Sequence, residues 1–163
     1  MVFILFISFV ILLRIGELVL SSSNERWLLR HGAVEYGKEH YPFVVALHAL
    51  FFVSLIIEYS LAQTVYFNIY LFILFLILIV FKAWIILSLG KFWNTKIYRI
   101  SNYPLIKKGP YKYLKHPNYI VVIVEIAIIP LVFQLYYSTI IFTLLNGVML
   151  AFRIKEENRA LRL

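Results

Sequence analysis

Cysteine is absent from the 163-residue chain, which excludes disulfides, thiolate metal sites and thiol nucleophiles. Acidic residues are scarce, 8 against 16 lysines and arginines, and only 15% of residues are charged. Surface for a water-soluble domain is therefore missing: 63% of residues are hydrophobic and the mean hydropathy is +0.86, far from soluble composition. The net charge of +8 does not point to nucleic acid, because apolar runs too long for a soluble fold separate the basic residues. No metal and no nucleic-acid partner are expected. The opening run VFILFISFVILL has neither a basic segment before it nor a small-residue cleavage site after it, so it is expected to be a first span rather than a signal peptide.

What the chain does have is long apolar runs at 2–20, 43–62 and 66–88, each close to the 20 or so residues a membrane helix needs. The stretch 117–152 is too long for one span and predicts a helical hairpin, with spans 117–134 and 138–152. Pro117 suits a first helical position, Pro130 is expected to kink the interior, and residues 134–138 are expected to turn. The expected fold is an all-α integral membrane protein with five transmembrane helices in a single domain. Basic residues concentrate in the segments 21–41, 91–116 and 153–163, while 63–65 and 134–138 hold none. Positive residues favour the cytoplasmic side, so the N-terminus is expected outside and the C-terminus inside, in the cell membrane.

Several polar groups fall within the spans: Arg14, Glu17, His48, Glu58, Lys82, Glu125 and Asn146. A charge in lipid costs about 2.5–3.5 kcal/mol on insertion scales, so such groups normally face a cavity or a partner. At about 1.5 Å rise per residue, Lys82 and Glu125 lie at matched depth, roughly 12 Å from the same face. They are an expected pair beneath a polar cavity opening to the cytoplasm. Arg14 and Lys82 can alternatively snorkel to the headgroups; Glu125 is too short. Glu58 sits alone near the other face.

Function is expected to concentrate in the longest polar connection, 91–116, and at the following helix entrance. Gly109-Pro110 marks a turn, Tyr111 and Tyr113 offer aromatic faces, and His116 precedes Pro117, where free backbone N–H groups favour an anionic group. A basic interfacial loop with lysines on anionic membrane lipids and Trp93 in the aromatic belt is the plainer alternative. In the tail RIKEENRAL, helical spacing puts Arg153, Glu156, Glu157 and Ala160 on one face and Lys155, Arg159 and Arg162 on another. Its plainer alternative is a solvated helix with an internal Arg153–Glu157 pair.

The pattern GPYKYLKHPNY at 109–119, followed by RIKEE at 153–157, resembles the isoprenylcysteine carboxyl methyltransferase family of membrane enzymes. The likeness covers residues 91–163 and is only general in the first two helices. It implies methyl transfer from S-adenosylmethionine to a lipophilic acceptor in a cavity reached from cytosol and bilayer. By position it implies that Tyr103, Pro104, Leu105, Ile106, Tyr111, His116, Pro117, Asn118, Tyr119 and Glu157 bind the cofactor, and that Arg153 faces the acceptor. His116, Arg153 and Glu125 form the expected catalytic set, with His116 a candidate base. Two departures stand out: Lys115 replaces the usual Arg, and Val121 a frequent Gly. The length, the stretch RWLLRHGAVEYG at 26–37 and the spacing from HPNY to Glu125 look closest to a small bacterial branch that accompanies type III polyketide synthases and O-methylates long-chain alkylpyrones. A prenylcysteine carboxylate meets the same physical requirements. A sterol-reductase-like enzyme using NADPH and a non-catalytic membrane adaptor are the other classes in play.

Overall fold

The computed structural model describes residues 1–161; Arg162, assigned above to the basic face of the tail, lies outside the described residues. Among the described residues five α-helices carry the architecture: α1 Val2–Arg30, α2 Tyr41–Leu61, α3 Ile69–Leu89, α4 Pro117–Leu131 and α5 Tyr136–Ala160. Their apolar side chains are largely turned outward. Val80 and Leu87 on α3 are 71% and 78% exposed, which in water would be an aggregating surface and in a bilayer is the lipid face. The chain is an all-α integral membrane protein, and four of these helices are long and apolar enough to cross a bilayer. The fifth, α4, has 15 residues.

Helix bounds differ from the sequence expectation where capping groups intervene. Helix α1 continues past residue 20 to Arg30, because its polar second half docks on the segment after α3. There Asn24 Nδ2 donates to the carbonyls of Gly90 (3.2 Å) and Trp93 (2.7 Å), while Ser21 Oγ donates to Asn94 Oδ1 at 2.9 Å and accepts from the Thr95 N–H at 3.0 Å. Helix α3 starts at Ile69 rather than 66, since Asn68 Oδ1 accepts from the N–H groups of Tyr70 and Leu71, both at 3.1 Å, as an N-cap. Pro130 does not kink a longer helix. It lies one residue from the end of α4, and its carbonyl accepts from the N–H groups of Phe133 (3.0 Å) and Leu135 (3.1 Å) in a turn with Gln134 at φ 58°. The hairpin turn thus comes earlier than 134–138. Helix α5 can begin at Tyr136 because Glu58, from α2, accepts from the Tyr137 and Ser138 N–H groups at 3.0 and 2.7 Å. That gives the isolated Glu58 a role, satisfying backbone donors that lipid cannot.

The loops also carry a small antiparallel sheet, β1 Ala33–Tyr36 with β2 Ile97–Ile100, in register Ala33↔Ile100 to Tyr36↔Ile97. Tyr98 extends the tie, donating to Glu25 at 2.7 Å, and Lys96 pairs with the same carboxylate oxygen at 2.7 Å.

The interior is divided in two. One end is a packed aromatic core in which Phe3 stacks on Tyr59 at 3.7 Å and Phe6 meets Phe75 edge-on at 5.2 Å, joined by Phe51, Ile129 and Phe142. At the other end, beneath the sheet and the 91–116 connection, the helices diverge around a cavity.

Candidate active site

The cavity has a volume of about 390 Å³, within the range of sites for cofactor-sized ligands. Its lining comes from every helix. Arg14 and Glu17 project from α1, His48 from α2, Lys82 from α3, Asn118 and Tyr119 from α4, and Asn146, Arg153 and Glu157 from α5. Trp93, Thr95 and Tyr111 contribute from the long connection.

Local sequence fixes the entrance. Gly109 has φ 53° and lies so close to Ser88 and Trp84 of α3 that an added Cβ would collide with the Ser88 hydroxyl. This left-handed residue starts the tight turn Gly109–Lys112, held by Tyr111 N–H to the Lys108 carbonyl at 3.1 Å. The turn carries Tyr111 to the cavity wall. Burial, and then the nearby Glu157, push the Tyr111 phenol well above its ordinary range, so it stays protonated.

His116 is the N-cap residue of α4 and Pro117 its first helical residue. One ring nitrogen, Nδ1, lies 3.4 Å from Glu157 Oε2; the other, Nε2, lies 3.1 Å from Asn158 Oδ1. The Nδ1 contact is at ion-pair distance without hydrogen-bond geometry, and the nearby Glu157 carboxylate, ahead of the opposing effect of burial, raises the imidazole's pKa and favours its charged form. The ring stacks on Tyr119 at 5.5 Å. The Arg153 guanidinium lies 5.7 Å from the Tyr119 ring centre and donates from Nη2 to the Thr95 carbonyl at 2.6 Å. Arg153 and Glu157 therefore point to different partners rather than to each other.

At the cavity floor four charges close on themselves. Lys82 Nζ is 3.1 Å from Glu125 Oε2 and 2.6 Å from Glu17 Oε1. Arg14 reaches Glu17 and Glu125 with two different nitrogens, both at 2.8 Å. The expected Lys82–Glu125 pair is present, but as half of a neutral quartet. Lys82 and Glu125 are sealed, with side-chain exposures of 5% and 3%, while Arg14 and Glu17 remain 17% and 18% accessible.

Of the residues expected at the site, Tyr111, His116, Asn118, Tyr119, Arg153 and Glu157 meet around the cavity. Tyr103, Pro104, Leu105 and Ile106 are not brought to its lining; Tyr103 and Leu105 are 41% and 48% exposed, and the Tyr103 ring packs at 4.7 Å against Phe92. Pro117 is buried at the start of α4 rather than in the lining. Glu125 lies behind the wall, covered by Arg14 and Lys82. Trp93 and Thr95 were not among the expected site residues; only their place in the polar connection marked them. The intramembrane polarity of Glu17, His48 and Asn146 was the signal for theirs.

A polytopic membrane protein with a polar, ligand-sized cavity capped by the segments 109–119 and 153–157 is the class these features define. Residues 69–163 match the isoprenylcysteine carboxyl methyltransferase (ICMT) family, and the chain belongs to it. It is a membrane methyltransferase by family. The uncharacterized protein YpbQ of Bacillus subtilis (strain 168) is 43% identical over 162 residues, covering 98% of this chain and 96% of that protein. An uncharacterized protein of Haemophilus influenzae is 31% identical over 156 residues, covering 93% and 90%. No solved structure matches the chain.

Proposed function

We propose that the protein is an S-adenosylmethionine-dependent O-methyltransferase whose acceptor is lipophilic, foremost the hydroxyl of a long-chain alkylpyrone polyketide made by a type III polyketide synthase. The observation that carries this is one cavity joining two chemically distinct walls. On the first wall Tyr111, His116, Asn118, Tyr119 and Glu157 converge. On the second, Arg14, Glu17, His48 and Arg153 face a space bounded by the membrane helices.

The first wall fits the methyl donor. Asn118 Oδ1 and Trp93 Nε1 are buried without a protein partner, one acceptor and one donor available to a bound ligand. Tyrosine faces and the Glu157 carboxylate suit a sulfonium, and the backbone N–H groups at the start of α4 suit an amino-acid carboxylate. When bound, S-adenosylmethionine supplies an electrophilic methyl carbon. The protein supplies alignment and exclusion of water. Under this assignment His116, held between Glu157 and Asn158, organises the donor site and is not the base. Arg153, anchored on the Thr95 carbonyl, presents its guanidinium to the acceptor oxygen. Glu125 acts through Arg14 and Lys82 rather than by contact.

The concentration of lysine and arginine at 91–116 and 153–163 supports a cell-membrane orientation with the cavity toward the cytoplasm, where the donor is soluble, while the acceptor arrives from the bilayer. The family description favours a second reading, methylation of a prenylcysteine-like carboxylate in the same cavity. Saturable binding of labelled S-adenosylmethionine to the purified protein, abolished by His116→Ala or Glu157→Ala, tests the proposal. Saturable NADPH binding without S-adenosylmethionine binding would replace it with a reductase.

A further inference from the structure

His48, on α2, lines the cavity. Its Nδ1 lies 2.8 Å from the Val44 carbonyl. A carbonyl only accepts, so Nδ1 must carry the proton, and in the neutral ring Nε2 keeps its lone pair. Among the described residues Nε2 has no hydrogen-bond or ion-pair partner. A membrane helix has therefore fixed a histidine in the tautomer of a base.

Asn146 stands at the same level on α5. The two helices run antiparallel, with Ser54 on Ser138 at 3.0 Å, Phe51 against Phe142 at 5.5 Å and His40 stacked on Phe152 at 6.4 Å. His48 and Asn146 fall between the second and third of these contacts, and both line the cavity. Asn146 is 2% exposed, and its Nδ2 has no partner among the described residues, which in apolar surroundings costs free energy unless a ligand accepts from it. The charged side chains and the other imidazole lining the same cavity are Arg14 and Glu17 from α1, Lys82 from α3, Lys96 from the long connection, His116 at the start of α4, and Arg153 and Glu157 from α5. Glu17 is engaged by Arg14 and Lys82, and Glu157 and His116 face each other, with the second His116 nitrogen on Asn158; among the described residues lining the cavity this leaves His48 as the imidazole with an unpartnered ring nitrogen.

We propose that His48 is the general base of the methyl transfer, taking the acceptor's hydroxyl proton at Nε2 while the facing Asn146 amide donates to the same oxygen. This rests on the O-methyltransferase reading. A lipophilic acceptor enters from the bilayer in its neutral form, because carrying an anion through lipid is costly, so the proton must be removed inside the cavity. The O–H bond breaks toward His48. The oxygen pair forms the new C–O bond to the methyl group of the sulfonium donor, the C–S bond breaks and its electrons stay on sulfur. The imidazolium later returns its proton to water.

The test uses full-length protein in detergent with a long-chain 4-hydroxy-6-alkyl-2-pyrone, whose enolate and neutral forms differ in absorbance. At a pH below the pyrone's own ionisation midpoint in the same micelles, the wild-type complex should show the enolate. His48→Asn, which keeps the contact to Val44, and His48→Gln should both bind the pyrone in its neutral form and lose about 10²–10⁴-fold in kcat, with unchanged S-adenosylmethionine affinity. An enolate in both variants, or a neutral pyrone in the wild type, overturns the proposal. The wild type carries an independent check that needs no variant to fold. Calorimetry in two buffers of different ionisation enthalpy should find no proton released to buffer when the enolate forms, and release of a full proton per pyrone overturns the base. Methyl transfer at the wild-type rate by both variants removes His48 and leaves the methyltransferase reading standing; no transfer by any form removes both.

Discussion

His116 Nδ1 lies 3.4 Å from Glu157 Oε2, joining the first turn of α4 to the last turns of α5 across the cavity entrance. The imidazole's folded-state pKa lies above its ordinary value, chiefly through Glu157. Its contribution to stability is fully present below the unfolded histidine value of about 6.5 and is lost as pH rises through the higher folded value. Thermal unfolding in detergent should therefore show wild-type stability falling relative to Glu157→Gln across that window. Parallel curves for the two proteins would separate the pair from stability.

The quartet makes an unusual prediction for charge swaps. Lys82→Ala or Glu125→Ala each leaves buried charge uncompensated, with an expected loss of about 3–5 kcal/mol. The swap Lys82→Glu with Glu125→Lys should not recover it, because the carboxylate introduced on α3 would face Glu17 and the ammonium introduced on α4 would face Arg14. Neutralising both, as Lys82→Met with Glu125→Gln, leaves the Arg14–Glu17 pair at 2.8 Å intact and should be milder than either single change. A double-mutant cycle of melting temperatures checks this; full recovery by the swap would mean that Arg14 and Glu17 stand apart from the pair.

Glu58→Ala removes the acceptor for the Tyr137 and Ser138 N–H groups at the start of α5. The expected cost is about 1–2 kcal/mol, as for a lost N-cap, with no change in cofactor affinity. Unfolding and binding measured on one preparation check both halves. A large affinity loss at unchanged stability would tie Glu58 to the site instead.

Much of this arrangement was legible because membrane constraints write themselves locally. A run of about 20 apolar residues is a span, and a charge inside one needs a partner, so Lys82 and Glu125 were matched by depth alone. The partners Arg14 and Glu17 were visible as polar positions, but their rotation toward α3 and α4 depends on helix packing that hydropathy does not encode. The pairing of 33–36 with 97–100 was hidden for a related reason. Each strand is four residues long, too short for an alternation signal, and the register is set by the docking of Ser21 and Asn24 on residues 90–95. Asn68 before an apolar run is a cap signal, masked because Tyr66 and Phe67 extend the apolar run ahead of it. Only the family resemblance assigns Tyr103–Ile106 to a cofactor; the stretch has no regular secondary structure, residues 103–105 are exposed, and the Tyr103 ring packs on Phe92.

Methyl transfer to a membrane-borne acceptor has a direct chemical readout. Membranes containing the protein, incubated with methyl-labelled S-adenosylmethionine and alkylpyrone-containing lipid extract, should yield a label that partitions into organic solvent and resists mild alkaline hydrolysis, as an enol ether does, and Glu157→Ala should abolish it. Label released by alkali as methanol would identify a carboxyl ester and the prenylcysteine-like reading. No transfer to any lipid, with no saturable S-adenosylmethionine binding, would exclude the protein as a methyltransferase of lipophilic acceptors.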